Sequence, residues 1–86
     1  MPWHIDITRR ATRDLLRIPI EDRNAILAAL RRLSDDPSSV DMQKLGGRDN
    51  RWRVRVGRWR VLLGADNSTG TMRVDRVLDR RDAYRS

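Results

Sequence analysis

An α+β fold, with two N-terminal helices laid over one face of an antiparallel sheet, is predicted by three features of the sequence. An alternating apolar segment opens the chain, two stretches of helical apolar period follow, and the second half divides into short alternating runs separated by turn residues. The predicted order is strand, helix, helix and then a meander of three strands, β-α-α-β-β-β, in a single domain over residues 1–86. A chain of this length buries somewhat more than roughly 60% of its unfolded surface, enough for one sheet and one helical layer.

The first strand is WHIDIT (3–8), where Trp3, Ile5 and Ile7 alternate with His4, Asp6 and Thr8. Thr8 is placed to cap a short helix, RRATRDLLRI, with Ala11, Leu15 and Leu16 on one face. Pro19 suits the first turn of a second helix, and Glu21 and Asp22 suit its positive end. Along that helix Ile26, Leu27, Leu30 and Leu33 recur at three- and four-residue steps, and DDPSS (35–39) stops it. A polar connection follows, and MQKLGG leads into RWRVRV. The GG there is expected to be a turn, since the lysine pattern of a phosphate-binding loop is missing. Gly57 and Arg58 form a tight turn into WRVLLGA, DNSTG (66–70) is a second hairpin loop, and TMRVDRVLD (71–79) is the last strand.

The sequence contains no cysteine and a single histidine, His4, so a disulfide framework, a thiolate metal site and a two-histidine site are excluded. Neither a metal nor a small-molecule cofactor is expected. No apolar run reaches the roughly 18 residues of a membrane span, and MPWHIDITRR lacks the layout of a signal peptide. The expected location is cytoplasmic, with no membrane partner.

The net charge of +7 is unevenly placed. Residues 1–43 hold seven Lys/Arg and seven Asp/Glu, whereas residues 44–86 hold twelve against five, so the whole excess lies in the second half. Within 44–60 seven basic residues face one acidic residue, Asp49. A localised excess of this kind is the footprint of a polyanionic partner. Of the nineteen basic residues eighteen are arginine, which suits bidentate contact with phosphate.

In a strand over 51–56, Trp52, Val54 and Val56 point one way and Arg51, Arg53 and Arg55 the other. The basic row then repeats at roughly 6.6 Å, twice the rise per residue. In the next strand Trp59, Val61 and Leu63 alternate with Arg58, Arg60 and Leu62. Arg60 joins the row if the hairpin register brings both basic sets to one face. Trp52 and Trp59 fall on the apolar phase and are expected in the core, and His4 at the surface. The tail DRRDAYR carries Arg80, Arg81, Arg85 and the only tyrosine, Tyr84, which an antiparallel return would bring towards the arginines. A phenol among guanidiniums ionises more easily than one in water.

The series WHIDIT, DLLRIP, KLGG–RWRVRVGRWRVLL and VDRVLDRRDAYR closely resembles the RelE toxins of the RelE/ParE superfamily, over nearly the whole chain. The resemblance implies a microbial-RNase-type fold and a ribosome-dependent mRNA endonuclease that works without metal in the ribosomal A site. The substrate's own 2′-hydroxyl attacks the adjacent phosphate. It further implies roles for single residues. Arg53 and Arg55 match the family's basic pair that grips mRNA, and Arg60 its arginine for transition-state charge. Arg80 matches the residue that supports the leaving group, and Tyr84 the tyrosine that stacks on the substrate and orients its hydroxyl. Arg51, Lys44 and Arg81 complete the expected RNA contacts. Two departures from the pattern stand out: both members of the basic pair are arginine, where some relatives carry lysine, and Asp79 stands where many carry histidine or lysine.

Implied partners are the ribosome with its mRNA and a cognate RelB-like antitoxin, expected to carry an acidic amphipathic segment. Two alternatives accompany the nuclease reading: a ParE-like inhibitor of DNA gyrase, and a basic RNA-binding relative with weak catalysis or none.

Overall fold

A computed structural model describes residues 2–46 and 50–83. Five strands form one sheet: β1 (His4–Ile7), β2 (Asp41–Lys44), β3 (Arg51–Val56), β4 (Trp59–Asp66) and β5 (Thr71–Asp79). Helices α1 (Arg9–Leu16) and α2 (Ile20–Asp35) follow β1, a 3₁₀ turn at Pro37–Ser39 precedes β2, and a short helix α3 (Arg80–Ala83) follows β5. The α+β class with two N-terminal helices over a sheet is as expected.

Helix α3 lies where the sequence reading had only a tail, and two features of the sheet also differ from that reading. The sheet has a fifth strand, β2, in the segment read as a polar connection. Its order is β1-β5-β4-β3-β2, with β1 parallel to β5 and every other pair antiparallel. DMQK carries one inward apolar residue, Met42 on Val54, and its outward Asp41 and Gln43 face Arg55 and Arg53. Four residues with one apolar position give no readable period. β1 and β5 are neighbours in space but are joined through α1, α2 and the whole of β2 to β4, a connection long enough for parallel pairing.

Thr8 caps α1 by accepting the Ala11 N–H at 3.1 Å, as its sequence position predicts. Pro19 lies just ahead of α2, whose first turn carries Glu21 and Asp22. Ile26, Leu30 and Leu33 of α2 and Ala11 and Leu15 of α1 are buried against Val54, Val61, Leu63, Met72, Val74 and Val77 of the sheet. Trp3, Trp52 and Trp59 pack on the rim of this core. The Trp59 indole N–H donates to Asp22 at 3.0 Å and pins β4 to the start of α2. At the free edge of β5 beyond β1, Asp14 of α1 accepts the Val77 N–H at 2.9 Å and pairs with Arg76. Burial tends to raise the Asp14 pKa, but the Arg76 guanidinium and the Val77 N–H together hold it below the ordinary carboxylate value.

The β3–β4 hairpin closes in two residues. Gly57 has φ +58° and Arg58 does not share the left-handed region, the arrangement of a type II′ turn with glycine first. This turn fixes the register of the arginine strands.

Candidate nucleic-acid interface

With helices on one face, the sheet's other face is built from the alternate positions of each strand. Three cross-strand rows result. The first runs Asp41, Arg55, Arg60 and Leu78; the second Gln43, Arg53, Leu62 and Arg76; the third Arg51, Gly64, Arg73 and Asp6. The basic phases of β3 and β4 therefore share a face, and Arg55 and Arg60 are direct partners.

Arg60 is 7% exposed, the one buried charged residue of the described chain. Its Nη1 donates to the Gly57 carbonyl at 2.9 Å and the Trp59 carbonyl at 3.0 Å, which fixes the guanidinium against the hairpin turn. Among the described residues no carboxylate pairs with it. Carbonyl acceptors hold the group without cancelling its charge. Arg55 pairs with Asp41 at 2.7 Å, and Arg53 donates to Gln43 at 2.8 Å. Asp41, Gln43, Arg53, Arg55 and Arg60 line a depression of about 240 Å³, where three guanidiniums meet one carboxylate. Such a hollow suits an anion the size of a phosphate.

A second basic region lies at the end of β5. Leu78 is in register with Arg60, and Arg80 follows two positions later as the first residue of α3. The Arg80 N–H donates to the Arg58 carbonyl at 2.8 Å and ties α3 to the β3–β4 turn. Arg58, Asp79, Arg80 and Arg81 line a depression of about 300 Å³. Asp79 accepts the Arg81 N–H and the Arg58 guanidinium, and both lower its pKa. The acidic departure at this position thus holds Arg58 and the start of α3. Arg58 also lies over the Trp59 ring, 5.4 Å from its centroid.

Of the eight site residues expected from sequence, Arg53, Arg55 and Arg60 gather in one depression, and Arg80 and Arg81 border a second one. Arg51 lies on the same face in the third row, paired with Asp75 at 3.1 Å. Lys44 does not join them: it is in register with Trp52 and so takes the opposite phase of the sheet. It was expected among the RNA contacts, but the unrecognised strand β2 sets its direction. Tyr84 lies outside the described residues. Sequence reading missed Asp41 and Gln43 as partners of the arginines, because the four residues of DMQK show their alternation only once they are paired with RWRVRV.

A family model described as the ParE toxin of the type II toxin–antitoxin system parDE matches residues 5–84. A search of curated proteins finds no match to the sequence. Among solved structures, the RelBE2 toxin–antitoxin complex of Mycobacterium tuberculosis is similar with a TM-score of 0.80 and 29% identity, covering 93% of this chain and 100% of that one. The archaeal RelE–RelB complex of Pyrococcus horikoshii has a TM-score of 0.80 at 20% identity, covering 93% and 97%. A RelE arginine mutant from E. coli in the free state has a TM-score of 0.80 at 15% identity, covering 98% and 90%. The last two likenesses concern the fold alone. The family match spans the strands, helices and basic face described above, and the chain belongs to the ParE toxin family of type II toxin–antitoxin systems, within the RelE/ParE superfamily.

Proposed function

We propose that this toxin is a ribosome-dependent mRNA endonuclease whose cleavage site is the arginine face of the sheet. The observation that carries this reading is Arg60: a buried guanidinium held by carbonyls, directly opposite Arg55, in a hollow where positive charge exceeds negative. In the reaction the substrate's 2′-oxygen bonds to the adjacent phosphorus as the bond to the 5′-oxygen breaks. The 2′-hydroxyl proton must leave and the 5′-oxygen must gain one, with a cyclic phosphate and a free 5′-hydroxyl as products. Charge accumulates on the phosphoryl oxygens in between, and fixed donors at that place lower the barrier most. Arg60 supplies such donors, and Arg53 and Arg55 hold the flanking backbone. A guanidinium gives up no proton at neutral pH, so the arginines do not act as the base. Tyr84 takes the role of orienting and helping to deprotonate the 2′-hydroxyl, and Arg80 that of supporting the departing 5′-oxygen. The reaction scheme calls for no metal or small-molecule cofactor.

A cognate antitoxin is proposed as the partner in the resting state. Several similar solved structures are RelE–RelB complexes, and a RelB-like acidic segment would complement the basic face. The ribosome with its mRNA is the proposed target in the cytoplasm.

The family model, named for ParE, favours a second reading in which the chain inhibits DNA gyrase by binding. Cell-free translation with the purified protein, followed by primer extension, separates the two. Cuts confined to translated mRNA and lost in Arg60→Ala and Tyr84→Ala are expected for the nuclease. Intact mRNA together with loss of gyrase supercoiling activity would establish the inhibitor. Intact mRNA with salt-dependent RNA binding would leave a basic module without chemistry.

A further inference from the structure

The third row of the sheet carries a site that the cleavage chemistry does not use. Asp6, Asn50, Arg51, Gly64, Ala65, Asp66, Thr69, Thr71 and Arg73 line an open cavity of about 420 Å³, in which Gly64 stands between Arg51 and Arg73 in the cross-strand row. Both arginines are held by one carboxylate. Asp75 Oδ2 pairs with Arg51 Nη1 at 3.1 Å, and Oδ1 pairs with Arg73 Nε at 2.9 Å. Two basic and two acidic side chains line the cavity, so its charge is balanced, unlike the hollow around Arg60. Threonine hydroxyls and the Asn50 amide add hydrogen-bonding groups that carry no charge.

We propose that this cavity is a nucleobase subsite, which receives the base of a nucleotide flanking the cleaved one. This deepens the nuclease reading and rests on it for the identity of the chain that is bound. The two ends of the sheet face then divide the work. The row of Gly64 lies two row spacings, roughly 13 Å, from the row of Arg60, within reach of a neighbouring nucleotide on an extended strand. Arginines already engaged by Asp75, in a site whose lining charges balance, present planar faces on which a base stacks, in preference to binding phosphate. Gly64 leaves the floor between them open. Its φ is outside the left-handed region, and a Cβ built there meets only the Asn50 carbonyl oxygen at 3.8 Å. The backbone therefore accepts a side chain at 64, and the place for a base over Gly64, beside the two guanidiniums, is what a larger residue would remove.

The test is a titration of the isotope-labelled toxin with each of the four ribonucleosides and, separately, with inorganic phosphate, read from backbone amide shifts. Nucleosides are expected to shift Arg51, Gly64, Ala65 and Thr71, and phosphate to shift Arg53, Arg55 and Arg60. In Gly64→Val the nucleoside affinity is expected to fall by about tenfold or more while the phosphate response persists. If no nucleoside shifts these amides at concentrations up to about 10 mM, the subsite is rejected on the wild-type protein alone, whatever the variant does. Equal nucleoside affinity in a folded Gly64→Val also rejects it. Nucleoside binding at these amides in a protein that leaves translated mRNA intact would uphold the subsite and reject the nuclease reading.

Discussion

Arg55 and Arg60 face each other as direct Cα partners across the β3–β4 hairpin, and only Arg55 has a carboxylate partner, Asp41 at 2.7 Å. Like charges placed directly opposite one another in a sheet are destabilising. A bound phosphate would turn that cost into an attraction, and Asp41 competes with it for Arg55. Asp41→Asn should therefore tighten binding of a short single-stranded RNA by about threefold and lower stability by less than about 1 kcal/mol. Fluorescence anisotropy at fixed salt, with urea denaturation alongside, measures both.

The same pair should make phosphate a stabilising ligand. At a concentration ten times its Kd, a ligand that binds only the folded state adds about 1.4 kcal/mol, worth roughly 5 °C or more for a chain this small. Inorganic phosphate is expected to raise the Tm of the wild-type toxin by that order and that of Arg60→Ala by much less. Calorimetry over a phosphate series at constant ionic strength makes the comparison.

Position in the sheet separates Lys44 from Arg53, although both are basic and both were expected to touch RNA. Lys44 is in register with Trp52, on the opposite phase from the arginine rows. Lys44→Ala should leave the salt dependence of RNA binding unchanged. Arg53→Ala should reduce the slope of log affinity against log salt by about 0.7, the value for one phosphate contact on a single strand. Equal slopes for the two variants would remove the assignment of a face.

Asp14 joins α1 to the exposed edge of β5 through Arg76 and the Val77 N–H. These contacts favour the charged carboxylate and hold its folded pKa below the ordinary value, despite burial. Its contribution is therefore present above the unfolded pKa of about 3.9 and is lost as the pH falls through the lower folded value. Asp14→Asn should cost about 1–3 kcal/mol at neutral pH and flatten the acid limb of the stability curve. Chemical denaturation at several pH values from neutral to about 3 checks the sign.

The parts of the fold legible in sequence are those carried by long periodic segments. Ile26, Leu30 and Leu33 revealed α2, Thr8 revealed the cap of α1, and the alternation of RWRVRV with a glycine turn revealed the hairpin, while the gathering of Arg60 with Arg53 and Arg55 hung on a register that only the structure supplies. What was not legible depends on long-range pairing. The β2 strand has one inward apolar residue, and its partner β3 defines it more than its own composition does. The parallel pairing of β1 with β5 joins residues 67 positions apart, such as His4 and Thr71. Lys44 and the Asp75 clamp follow from those pairings, and no local pattern announces either.

The most direct measurement is single-turnover cleavage of mRNA on programmed ribosomes with an empty A site, comparing wild type with Arg60→Ala. Removing one oriented donor from a developing oxyanion typically costs about 10²–10³-fold in rate. Cutting by the wild type that falls by that factor in Arg60→Ala, with free mRNA left intact by both, is the expected result. Equal rates for the two proteins, or no cutting by the wild type, would contradict the assignment of Arg60 to the scissile phosphate.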